Sequence, residues 1–179
     1  MPAKSSTDRY GTVAVAIHWT SAAMIVLLLA TGLLAANQTD DAASVALLRA
    51  HVPFGIAALA LTLFRILWWI AADRAPLPPA SQPAWQRTTA RIVHLGLYVV
   101  ILLTAVSGVG TLVLSGALPA IIAGAALPDF SALVPRLVHG LAARLMLVLL
   151  ALHVGAALYH QFIRRDRLLA RMGIGAGRA

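Results

Sequence analysis

The sequence predicts an all-α integral membrane protein, a four-helix transmembrane bundle with both termini in the cytoplasm. Three observations carry this expectation. The 179-residue chain is 60% hydrophobic and 11% charged, where a soluble domain carries about 25% charged residues, and its mean hydropathy is +0.86. Four runs, at 13–36, 45–72, 91–114 and 138–163, reach the length of about 20 mainly apolar residues that a helix needs to cross a bilayer. Of the 14 Lys and Arg, ten fall on alternate connections, and the opposite loops hold only Arg49 and Arg136, with Asp40, Asp41 and Asp129.

Span one follows Lys4 and Arg9. It is too long for the apolar core of a signal peptide and carries His18, so it is expected to stay in the protein. Span two begins beside Asp40, Asp41 and Arg49 and ends before "DRAPLPPASQPAWQR", a connection whose prolines block helix continuation and favour an extended crossing. Arg74, Arg87 and Arg91 lie there, ahead of span three. The following segment, "SGALPAIIAGAALPDFSALVPR", has an apolar centre too short to span and bracketed by prolines. It reads as an outer-face loop with a short interfacial helix. Span four is followed by Arg164, Arg165, Arg167, Arg171 and Arg178. By the positive-inside rule these clusters place both termini in the cytoplasm, so the net charge of +8 marks topology and anionic lipid rather than nucleic acid. The whole chain, 1–179, reads as one domain.

With no cysteine, disulfides, iron–sulfur clusters, thiolate ligands and the thioether attachment of c-type haem are excluded. Histidine remains. On this topology His51 and His139 lie at the outer ends of spans two and four, and His18 and His153 lie toward the cytoplasm on spans one and four. His139 and His153 are fourteen residues apart, within about 40° of whole turns and about 21 Å along the axis. One helix can therefore offer an imidazole to each of two planar cofactors stacked across the membrane, with spans one and two supplying the opposite ligands: two bis-histidine b-type haems in a four-helix bundle. A lone histidine in a span ordinarily makes an interhelical hydrogen bond, but four paired by depth ask for more. A zinc site needs three or four convergent ligands, which a two-level layout does not provide.

Other residues extend the pattern. His160 follows His153 by seven positions and His94 opens span three at a similar depth; both are candidates to give protons or hydrogen bonds to a quinone, since histidine titrates near neutral pH. Arg65 and Arg144 lie inside apolar runs, where a guanidinium costs about 2.5–3.5 kcal/mol unless paired; haem propionates are natural bidentate partners, although Arg65 is also close enough to the cytoplasm to snorkel. Arg49 and Arg136 are outer-face charges able to attract an anionic donor. Gly55, Gly140 and Gly155 lie near the ligands, where a missing side chain admits a flat ring or, equally, close helix packing. Trp19, Trp68, Trp69, Tyr10 and Tyr159 fit an interfacial aromatic belt.

The segments "RYGTVAVAIHW", "RAHVPFGIAALALTLFRILWW", "APLPPASQPAWQRTTARIVHLGLY" and "VHGLAARLMLVLLALHVGAALYHQFIRRDRLLARM" resemble the bacterial cytochrome b561 family, which is related to the cytochrome b subunits of hydrogenases and formate dehydrogenases. The resemblance covers essentially the whole chain. It implies two haem b groups, with His18 and His153 as ligands of the cytoplasmic-side haem and His51 and His139 of the outer one. It also implies a bacterial inner (plasma) membrane location and electron exchange with quinone, ubiquinone being the expected substrate. Some members are superoxide oxidases that pass the superoxide electron to ubiquinone; other relatives anchor a larger dehydrogenase. The function expected is thus a transmembrane dihaem cytochrome b with a small periplasmic donor such as superoxide. A dehydrogenase anchor subunit and, further off, a histidine-lined metal or proton transporter are the alternatives, and a homodimer or a dehydrogenase partner is the assembly this reading allows.

Overall fold

A computed structural model describes residues 2–79, 82–166 and 168–175; Arg167 and Arg178 of the basic tail lie outside them. The described residues are helical or irregular, with four helices long and apolar enough to cross a membrane. These are α1 (Thr12–Ala36), α2 (Asp41–Ala71), α3 (Ala84–Ser115) and α5 (Val134–Leu158), with the short α4 (Leu118–Ala123) between the last two. Four spans bring both termini to one face, the inner face below.

The ends of the helices follow from local chemistry. Asp40 caps α2 by accepting from the N–H groups of Ala42 (3.3 Å) and Ala43 (3.2 Å), satisfying donors that the first turn leaves free. α1 begins after Gly11 with no side-chain cap; instead the preceding chain folds back, and the carbonyls of Pro2 and Ala3 accept from Thr12 (3.0 Å) and Val13 (3.4 Å). Gly11 is required there, because a Cβ would run into the Ala3 carbonyl and the Lys4 backbone. α3 starts at Ala84, seven residues before the apolar run, because the polar stretch after Pro83 continues the helix beyond the membrane. The expected interfacial helix is α4, which carries Pro119 at its start and stops at Gly124 in the left-handed region. The 73–79 connection is extended, as its prolines require.

α1 packs along α2 and α3 along α5, while α2 and α3 meet over a shorter stretch. The molecule is therefore two helical hairpins side by side. Where they meet, Val100, Ala142 and Met146 are buried with Ile25, Leu29 and Leu149 against them. This apolar layer lies midway along the spans.

At the inner face the termini interlock. Asp73 accepts from the Ser5 N–H (3.0 Å), the Ser5 hydroxyl (2.8 Å), the Trp68 indole (3.2 Å) and the Arg74 N–H (2.9 Å). Arg171 donates to the Asp8 carbonyl (2.8 Å) and the Leu77 carbonyl (2.7 Å), and Trp19 donates to Met172 (3.0 Å). Three separated segments are thus tied into one cap.

Candidate haem sites

Two pairs of imidazoles face one another, one on each side of the apolar layer. On the outer side the rings of His51 (α2) and His139 (α5) have centroids 6.0 Å apart. On the inner side His18 (α1) and His153 (α5) are 6.1 Å apart. Each pair draws one ring from each hairpin.

The outer pair is held by its surroundings. His139 Nδ1 lies 2.8 Å from the Thr104 carbonyl, which can only accept, so Nδ1 carries the proton and Nε2 keeps its lone pair. His51 Nδ1 lies 3.0 Å from the Thr31 hydroxyl, whose own proton goes to the Leu27 carbonyl at 2.8 Å; His51 Nδ1 is again the donor. Glycines make room for both rings. A Cβ on Gly32 would lie 2.9 Å from His51 Cε1, and one on Gly108 would lie 3.0 Å from His139 Cε1. By contrast, a Cβ on Gly55 would meet only Leu28 at 3.9 Å, one on Gly140 Arg136 at 3.3 Å, and one on Gly155 nothing within 4 Å. The close approaches belong to Gly32 and Gly108, whose partners are invisible until the helices are packed.

The inner pair has different neighbours. Arg65 places both terminal nitrogens 3.4 Å from His18 Nδ1 and lies over the Tyr98 ring at 5.6 Å, a cation–π contact. Its Nε is buried without a hydrogen-bond partner among the described residues. His94 is a third imidazole at this depth, 5.2 Å from His153 and exposed. His160 is buried nearer the inner face, its Nδ1 paired with the Asp166 carboxylate. Arg144 is not brought to His139: it is exposed on α5, about 140° around the helix from that ring. Arg49, also exposed, spends donors on α4, bonding the carbonyls of Ile121 (2.8 Å) and Ile122 (2.7 Å).

These residues fit a haem. Two metal–imidazole bonds of about 2 Å each, plus about 1 Å from each nitrogen to its ring centre, sum to about 6 Å, the separation of both pairs. The outer rings present unprotonated Nε2 atoms, and the buried, unpartnered Nε of Arg65 is one acceptor short, which a carboxylate can supply. Facing imidazole pairs drawn from three of four apolar helices point to the class of membrane cytochromes.

Comparison with known proteins agrees. The chain belongs to the prokaryotic cytochrome b561 family, whose model matches residues 9–175. It is 27% identical over 173 residues to "Cytochrome b561 homolog 1" of Escherichia coli K12, covering 92% of this chain and 97% of that protein. To "Cytochrome b561 homolog 2" of the same organism it is 29% identical over 182 residues, covering 94% and 93%. No solved structure matches. The family makes this a multi-pass membrane cytochrome of haem b, acting in transmembrane electron transfer.

Proposed function

We propose that the chain holds two b-type haems, one at each level, and passes electrons between a one-electron donor at the outer face and a quinone at the inner face of the bacterial inner membrane. The observation that supports this most is the pair of imidazole gaps near 6 Å, with both α5 ligands on one face. His51 and His139 are the ligands of the outer group, His18 and His153 those of the inner one. Bound this way, a haem iron supplies one-electron transfer and offers no open position to oxygen.

The protein's own part is to aim, insulate and balance charge. Thr31 and the Thr104 carbonyl fix the outer tautomers, the role of second-shell partners at metal sites. Arg65, now against His18 Nδ1 with its Nε buried and unpartnered, would hold a haem propionate and so leave His18 free to present Nε2. The Val100, Ala142 and Met146 layer keeps water out between the levels. At the inner end, exposed His94 beside His153 and buried His160 are the polar groups offered to the quinone head. Ubiquinone is the quinone proposed, and superoxide the donor.

The test is the haem content of purified protein by the pyridine haemochrome method, with oxidised and reduced spectra. Two low-spin haems per chain are expected, falling to one in H139A with the inner signal kept. Absence of haem from protein expressed with ample supply overturns the reading and favours a histidine-lined transporter. Co-purification of a large soluble subunit favours the dehydrogenase anchor.

A further inference from the structure

We infer that Asp166 is a positioning residue for proton delivery to the quinone, acting through His160; this rests on the quinone reading above. Three observations meet at the inner end of α5. The helix widens into a π-helical turn over Tyr159–Arg164, a distortion that recurs at functional sites. Arg165 then takes a left-handed conformation with φ 55°, uncommon for a residue with a side chain. That reversal carries Asp166 back over the turn, where its N–H meets the His160 carbonyl at 3.3 Å and its carboxylate meets His160 Nδ1. The His160 side chain is 10% exposed and that of Asp166 24%, so the pair sits at the border of protein and cytoplasm. The edge of Tyr159 packs on the imidazole at 5.7 Å, and Arg164 and Arg165 are the charged neighbours on the same turn.

An imidazole whose Nδ1–H is held by a carboxylate has one orientation and presents Nε2 to its other partner. Reduction of a quinone to a quinol takes two electrons and two protons. The electrons come singly from the b-type haem that the family implies. His160 gives one proton from Nε2 to a quinone oxygen and recovers it from cytoplasmic water, which also supplies the second proton. Strain at Arg165 is the cost of placing that carboxylate, and it is retained where the turn has a task.

The experiment uses dithionite-reduced holoprotein in detergent, mixed in a stopped-flow instrument with a short-chain ubiquinone or with ferricyanide, which takes an electron without a proton. D166N is expected to slow haem reoxidation by ubiquinone ten-fold or more, a typical contribution of acid–base catalysis, with the ferricyanide rate and the haem spectrum unchanged. D166E recovers part of the rate, and H160Q/D166N is no slower than H160Q, because residues acting as a unit are not additive. Independently of turnover, histidine-labelled protein should show a low-field Nδ1 proton resonance for His160 that D166N removes. A D166N rate equal to wild type with ubiquinone, equal slowing with both oxidants, or loss of haem overturns the inference. Wild-type protein that ubiquinone does not reoxidise overturns the quinone reading and this role with it.

Discussion

At the scale of the residue, the spacing of histidines carries far more than their number. His139 and His153 share a face of α5, and the arithmetic of the helix is enough to pair them by depth with His51 and His18. Nothing in the sequence distinguishes Gly32 and Gly108 from the other glycines, because the ring each one faces arrives on a different helix. G32A and G108A are expected to push the outer rings by several tenths of an ångström and, on the two-haem proposal, to lower haem content to about one per chain, as absorbance per protein would show. G55A, whose Cβ would meet only Leu28 at 3.9 Å, should keep both. Arg49 is similar: a charge on the outer rim by sequence, it turns out to hold the last carbonyls of α4. Asp166 was equally illegible, since its contact with His160 depends on a π turn and a left-handed residue that no periodicity announces.

At the scale of the element, the four spans were readable because bilayer thickness sets their length and apolar character. Their ends were less so. α3 gains two turns from a polar stretch that membrane reasoning leaves outside, and the start of α1 is capped by backbone carbonyls of a segment that looks unstructured by composition. That segment hangs on Asp73. Burial raises the Asp73 carboxyl, but hydrogen bonds from Ser5, the Arg74 N–H and Trp68 outweigh it and hold the pKa below the usual carboxylate value. A lowered folded pKa means stabilisation that is complete above the unfolded value of about 4 and lost as pH falls through the folded one. The N-terminal segment should therefore become open to protease as pH drops below about 4, and D73N should open it at pH 7, seen as cleavage before α1 with the spans protected.

At the scale of the whole molecule, both termini share the face that carries most of the basic residues. A reporter active only in the cytoplasm should work when fused after residue 175 and fail when fused in the 37–40 loop, which sets the sense of the whole bundle. The described residues also show how the parts depend on one another. α1 with α2, and α3 with α5, are each closely packed, while contact between the hairpins is thinner, and the His18–His153 and His51–His139 pairs each take one ring from each hairpin. Such a chain can be built in stages during synthesis. With the ligation proposed above, haem would clamp one hairpin to the other at two depths, like bolts through two planks. On that proposal, cofactor supply completes quaternary-like docking within a single polypeptide, and a cell short of haem would hold this protein inserted yet only half assembled.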